Sequence, residues 1–341
     1  PIFPSDPCKL PGPGVAAAVE GGDATSPDRG FVIARVRRDR HEPTGPFDMR
    51  CAGILICPIC SGPLDEADGT FRCPKGHAFD RAREGYIHLL PAGHGRSGIQ
   101  GDTAEMVRAR RRFLERGYYE PLARAIEARV LGHLAGRGAV RADGAAPPTI
   151  IDVGCGEGYY VGRLERAVAA AGGDGCFVGV DVSRDAVRLA ARAHRGVRFI
   201  VNDVHHRICV ADRSADVVLD VFAPRNPREF ARIVREDGLV LVVVPGDDHL
   251  EELRGVVPLL RIGEAKEERT AERLGERFEL AGREGLRYTI EPTGDDVADL
   301  LRMTPNRWHL DEAALALAAA ADRLSITVSV ALLAFRPRPG V

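Results

Sequence analysis

No stretch of the 341 residues approaches the ~18 consecutive apolar residues of a membrane span. The longest apolar runs, Leu239–Pro245 and Ile326–Phe335, have the length of strands. Charge of one sign is missing too. Against 47 Lys and Arg stand 49 Asp and Glu, a net of −2, so binding of a polyanion by bulk charge is excluded and only a local patch could meet nucleic acid. The N-terminus is rich in Pro and Gly and lacks the charged-then-apolar order of a secretory signal, so a cytoplasmic protein without membrane contact is expected. No internal repeat appears at the ~20–50-residue periods of solenoids. An apolar content of 45% leaves ample core and excludes disorder of the whole chain. Eight cysteines are present, at 8, 51, 57, 60, 73, 155, 176 and 209. In a chain this long a disulfide scaffold is not expected, and their clustering points to metal.

Four segments follow from composition. Residues 1–50 read as an irregular tail in which only Phe31–Val36 could form a strand. Residues 51–96 form a Cys/His unit. Residues 97–148 are a helical connector and linker: one long helix or two shorter ones over 102–135, capped by Asp102 or Thr103, then the Gly/Ala/Pro-rich stretch 136–148. From 149 to 341 strands and helices alternate. The strands are Thr149–Val153, Cys176–Val182, Val197–Val201, Ala215–Val221 and Gly238–Val244, with helices to about Ala171, over Asp185–His194 and over Arg228–Glu236. Two further strands and a helix are expected over 278–290, 295–303 and 324–335, and a helix over 313–321. This alternation predicts an α/β fold with a parallel sheet.

In the second segment, Cys57-x2-Cys60 is followed after twelve residues by Cys73-x3-His77. Three thiolates and an imidazole suit tetrahedral zinc, and four protein ligands leave no position for water, so the metal would be structural. Cys51 is an alternative ligand of lesser weight.

In the fourth segment, Ile150-Ile-Asp-Val-Gly154-Cys-Gly156-Glu-Gly158-Tyr-Tyr160 follows a strand and opens a helix. Glycines there let the backbone approach a ligand closely. Asp181 ends the next strand, where a carboxylate would hold ribose hydroxyls. Asp203, after the third strand, could accept from an adenine amino group. The turn departs from the dinucleotide pattern, and Glu157 within it would repel pyrophosphate but suit a cationic sulfonium. S-adenosylmethionine is therefore expected as cofactor, bound by Gly154, Gly156, Glu157, Gly158, Asp181 and Asp203.

The segments CPIC…CPKGHAFDRAREGYIHLLP (57–91), GDTAEMVRARRRFLERGYYEPL (101–122), DVGCGEGYY (152–160), VFAP (221–224) and PGDDHLEEL (245–253) resemble the 23S ribosomal RNA guanine-N(1)-methyltransferases, a family that includes tylosin-resistance enzymes. The resemblance runs from about residue 57 to the C-terminus. It implies a class I methyltransferase domain, Rossmann-like with a seven-stranded, mostly parallel sheet, joined to a small zinc module that contacts an RNA hairpin. It implies zinc on Cys57, Cys60, Cys73 and His77, and cofactor contacts by Tyr119, Gly156, Glu157 and His249. On the residues alone, Tyr119 reads as core packing beside Tyr118, and His249 as an exposed residue opening a helix. Three features depart from the family pattern: residues 1–50 have no counterpart, Ile208-Cys209 replaces Leu-Pro, and Asp247-Asp248 precedes His249.

The implied reaction is methyl transfer to guanine N(1) in a hairpin loop of 23S rRNA. That nitrogen carries a proton and faces the pairing partner, so the base must be unpaired or flipped into the pocket. Asp220, at a strand end, is a candidate base. Phe222 could equally stack on the guanine or belong to the core. Residues 81–137 hold eleven arginines and six acids, a local balance of +5 that suggests an RNA-facing strip beside the zinc unit or a solvated helix. Two other functions fit the same residues: a small-molecule methyltransferase with a zinc lid, and a non-enzymatic zinc protein that binds RNA. The sequence leaves monomer and homodimer open.

Overall fold

A computed structural model describes residues 51–91, 101–137, 147–257, 265–304, 307, 309–320 and 324–340. The tail 1–50 with its Phe31–Val36 strand, residues 92–96 of the Cys/His unit and most of the linker lie outside the described residues.

The Cys/His unit contains β1 (Asp65–Ala67), β2 (Thr70–Arg72) and β3 (Ala78–Asp80), an antiparallel sheet in that order, followed by β4 (Ile87–His88). The connector is two helices, α1 (Ala104–Glu115) and α2 (Glu120–Gly136). Of the two predicted caps, Thr103 serves: its hydroxyl accepts the Met106 N–H at 3.3 Å. Gly117, at φ +85°, turns the chain between the helices. The domain that follows runs β5 (Thr149–Val153), α3 (Tyr159–Ala170), β6 (Cys176–Asp181), α4 (Arg184–Ala193), β7 (Arg198–Val201), β8 (Ala215–Val221), α5 (Pro227–Ile233), β9 (Val234–Pro245), α6 (Lys266–Gly275), β10 (Phe278–Ile290), α7 (Gly294–Arg302), α8 (Glu312–Ala319) and β11 (Ile326–Pro337).

One sheet takes eight strands in the order β10-β11-β9-β8-β5-β6-β7-β4. The pairs from β9 to β4 are parallel, and β11 runs antiparallel to both β9 and β10. The sequence expectation of seven strands is short by one because β4 comes from the Cys/His unit. Ile87 and Leu89 are fully buried, and the edge of β7 is where they find cover and backbone partners. The Arg228–Glu236 helix ends early, at Ile233. Val234, β-branched and paired with Ala215, already belongs to β9. Helix α6 was not expected.

Alternation along each strand divides the core. Ile150, Val217 and Leu241 face a cluster built with α1–α4, α7 and α8. Their neighbours Ile151, Val218 and Val242 face a second cluster built with the Cys/His unit, α5 and α6. The Cys/His unit is therefore packed on the sheet and not hung from a linker. Its Leu55 bridges Val210, and the Ile56 N–H donates to the Cys209 carbonyl at 3.2 Å, both in the segment after β7.

Cys51 corrects a sequence expectation. It is bonded to Cys176, so it is no zinc ligand, and one disulfide ties the start of the Cys/His unit to the start of β6. The two residues lie 125 apart in the chain, and no local spacing signals the pairing.

Candidate active site

The turns CPIC and CPKGH bring Cys57, Cys60, Cys73 and His77 together, with one ligand atom from each lying within 4.8 Å of the others. Cys73 Sγ is 3.3 Å and Cys57 Sγ 3.5 Å from His77 Nδ1, and Cys60 and Cys73 Sγ are 3.5 Å apart. A tetrahedron with bonds of ~2.3 Å has edges just under ~4 Å, so the donor set fits zinc in number, chemistry and spacing. The small sheet beside it covers little beyond Leu64 and Phe71, so metal must supply much of its folding energy.

The glycine turn joins β5 to α3. Gly154 lies at φ +77°, and a Cβ there would come within 2.3 Å of the Ala223 Cβ. Gly156 lies at φ +56°, and a Cβ there would meet an Arg110 Nη at 3.1 Å. Left-handed backbone favours glycine at both positions, and crowding against Ala223 adds to it at Gly154. The turn thus touches the loop after β8 on one side and α1 on the other. Gly158 packs on Phe199 and His194, a protein contact that accounts for it without a ligand.

Of the acids predicted around the turn, Glu157 and Asp203 are buried and Asp181 is half-buried. Asp181 is placed at the end of β6, but its oxygens already accept the N–H groups of Gly156 and Ser183, each at 2.8 Å. It ties the turn to the neighbouring strand, with lone pairs left for hydroxyl donors. Glu157 lies in the turn, where burial pushes its carboxyl up to about 7 against the pull of Arg111 and Arg110. Asp203 accepts the His205 N–H at 2.9 Å and sits in the segment that also carries the Cys/His unit. In that segment the departure Ile208-Cys209 is anchored by Glu229 and Asn202, which accept the two amides.

Tyr119 and His249 meet although 130 residues separate them, with the phenol oxygen 3.4 Å from His249 Nε2. The Ser329 N–H donates to Nδ1 at 3.2 Å, which places the ring proton on Nε2, facing the tyrosine. His249 is buried, contrary to the exposed position read from residues alone, and burial holds its pKa down at about 4. A neutral imidazole donating to Tyr119 leaves the phenol's own proton available to a ligand.

Phe222 completes this group. Its ring stacks on His249 at 5.9 Å and lies 6.3 Å from Tyr119. It is 40% exposed and adopts φ +55°, a conformation costly for a residue with a Cβ. The core alternative for Phe222 is thereby set aside. Asp220, by contrast, is wholly buried at the root of the same loop, 3.1 Å from Arg225.

Sequence reasoning missed Arg225 and gave no separate role to Asp152, whose Oδ2 has no hydrogen-bond partner among the described residues. The arginine strip also changes meaning. Arg110, Arg111, Arg112 and Arg116 pair with Asp102, Glu115, Asp299 and Asp296, the last two on α7. Two of the four, Arg112 and Arg116, therefore hold α7 in place, and the other two pair with acids on or beside α1 itself.

With this geometry in hand, comparison with known proteins gives consistent matches. The family described as RlmA, N-terminal, a zinc ribbon, matches residues 55–98, and the methyltransferase domain family matches residues 150–238. With the sheet order, these make the chain a class I methyltransferase domain preceded by a zinc ribbon, and they imply S-adenosylmethionine and a structural zinc. Among the described residues no helix is long and apolar enough to cross a membrane. The solved structure of YcgJ from Bacillus subtilis is 19% identical over 61% of this chain and 100% of that one, with a TM-score of 0.37. The plantazolicin methyltransferase BpumL is 14% identical over 68% of this chain and 90% of its own, with a TM-score of 0.39. The 23S rRNA (guanine(748)-N(1))-methyltransferase of Streptomyces fradiae is 39% identical over 84% of this chain and 97% of its own. A Micromonospora griseorubida protein assigned to the same rRNA (guanine-N(1)-) class is 40% identical over 83% and 97%. At that identity and coverage the chain belongs to the 23S rRNA (guanine-N(1)-)-methyltransferase family.

Proposed function

We propose that the protein methylates N(1) of a guanine in a hairpin loop of 23S rRNA, in the cytoplasm, with the base flipped out of the loop onto Phe222. The observation that carries this reading is the loop after β8. It presents an aromatic ring to solvent in a strained conformation while its next residue, Ala223, presses on Gly154 of the turn. A base stacked on that ring would lie beside whatever the turn holds.

S-adenosylmethionine supplies an electrophilic methyl group. Gly154 and Gly156 would shape its bed, with Gly158 seating the turn on Phe199 and His194, and Glu157 would lie near the positive end, Asp181 at the ribose hydroxyls and Asp203 at the adenine. Tyr119 directs its hydroxyl proton to the methionine portion, and His249 fixes its orientation. The Asp220–Arg225 ion pair bridges the two ends of the Val221–Pro224 loop, so Asp220 anchors Phe222 in place and is not assigned as the base. Much of the acceleration is alignment of N(1), methyl carbon and sulfur. Cys57, Cys60, Cys73 and His77 would hold a structural zinc, which would fix the shape of the ribbon that engages the hairpin.

The test is transfer of labelled methyl from S-adenosylmethionine to a hairpin cut from 23S rRNA, followed by primer extension. A methyl at N(1) blocks pairing, so extension is expected to stop one nucleotide short of the modified guanine. Label appearing only in small molecules would reject the reading.

A further inference from the structure

The acids around the glycine turn differ in what neutralises them. Asp181 has two backbone amides, Asp220 has Arg225 with Arg273 and Lys266 beyond it, and Glu157 faces Arg110 and Arg111. Asp152 is the next-to-last residue of β5, the strand that leads into the turn, and is 1% exposed. The Val161 amide reaches its carboxyl, and Oδ2 has no hydrogen-bond partner among the described residues. The titratable groups that face it are Asp220 from β8, Asp181 from β6, Tyr160 from α3 and Cys155 from the turn. None of them is a cation.

An ionised carboxylate in that position would lack both water and a counter-charge, a state that proteins avoid by protonation. Burial, then Asp220, then Asp181, raises the Asp152 pKa well above the ordinary carboxylate range. A positive ligand entering the bed reverses the balance, because charges interact strongly across a water-poor site. The two ligands that must alternate there differ by one charge. The donor carries a sulfonium, and the product S-adenosylhomocysteine carries a neutral thioether in its place.

We propose that Asp152 makes this bed selective for charge, ionising when the sulfonium donor enters and regaining its proton once the sulfur is neutral, so that the demethylated product is bound more weakly. This deepens the reading of the turn as a bed for S-adenosylmethionine and rests on it. The balance closes. The Asp152 proton goes to solvent on donor binding. On transfer the S–CH3 bond breaks, its electron pair stays on sulfur, the N(1)–CH3 bond forms and the N(1) proton leaves. Asp152 then takes a proton from solvent.

The test is calorimetric titration of the full chain with S-adenosylmethionine and with S-adenosylhomocysteine, each in two buffers of different ionisation enthalpy, across neutral pH. The donor is expected to release about one proton more than the product, and its affinity advantage is expected to grow by up to ~10-fold per pH unit while Asp152 is protonated in the empty bed. Asp152→Asn should equalise the proton counts and flatten that dependence, and Glu157→Gln should keep the difference in proton count. Equal counts for the two ligands in the unmodified protein would overturn the proposal, as would a difference that survives Asp152→Asn. If circular dichroism shows Asp152→Asn unfolded, Glu157→Gln decides: loss of the difference there would assign the proton to the turn and not to Asp152. Binding of neither ligand would overturn the cofactor reading itself, an outcome distinct from binding of both with equal counts.

Discussion

The zinc ribbon draws its four candidate ligands from one short run, Cys57 to His77, whereas the groups around the proposed cofactor bed come from Tyr119, from the turn at 154–158, from the ends of β6 and β8, and from His249. The ribbon is local in sequence and poor in core, so its shape depends on a metal. The bed is assembled by the parallel sheet, whose strands carry distant residues to one edge and need no ligand to do so. The difference teaches where damage should travel. Loss of metal should dismantle one region and spare the other.

Metal removal is therefore the largest perturbation. Structural zinc in small domains contributes on the order of 10 kcal/mol, so chelation or Cys73→Ser should unfold the knuckles and small sheet, residues 57–80, while the Cys51–Cys176 bond and β4 keep both ends on the main sheet, and should reduce hairpin binding by more than ~100-fold. Calorimetry should find S-adenosylmethionine affinity within about threefold of the starting value, a tolerance of under ~1 kcal/mol. Parallel loss of cofactor binding would break the comparison. The packing of Leu55 and Ile56 on the segment after β7 is the route by which it could fail, since Asp203 lies there.

Phe222→Ala should sharpen the same distinction inside the bed. Stacking of a base on an aromatic ring is worth ~1–3 kcal/mol, so single-turnover methyl transfer to the hairpin should slow by roughly 5- to 150-fold. Cofactor affinity should change less, because the ring only packs against Tyr119 and His249 and takes no part in the hydrogen bond between them. Tyr119→Phe reverses that pattern. Removal of one hydroxyl costs about 1 kcal/mol, so cofactor Kd should rise by about fivefold while hairpin binding is unchanged.

The smallest effect concerns charge. Arg112 donates to both oxygens of Asp299 on α7. Arg112→Ala should leave the salt dependence of hairpin binding as it was, whereas an RNA-facing arginine would reduce the slope of log K against log[salt] by about one. The loss of stability should be small, because the Arg112 side chain is 54% exposed and water screens the pair.

The parts legible in the sequence were those whose signal is short-range. Cys57, Cys60, Cys73 and His77 are marked by their spacing, the turn by three glycines after a strand, and β5, β6 and β8 by their apolar runs. The parts that were not legible depend on approach in space. Helix α6 packs against the late strands, and α5 yields to β9 because Val234 finds a partner in Ala215. The Cys51–Cys176 bond, the arginines of α1 that face acids on α7, and the burial of His249 are likewise visible only once distant elements are packed.

The sequence by itself determined a metal-binding knuckle pair, a glycine-rich bend and the alternation of a parallel sheet, because each follows from residue type and from the reach of a few peptide units. Only the tertiary structure decided which charges are compensated. Arg112 meets Asp299 across 187 residues, Arg225 meets Asp220 around one loop, and Asp152 meets no cation among the described residues, because the worth of a charge is set by distance and burial and neither is written in the order of residues.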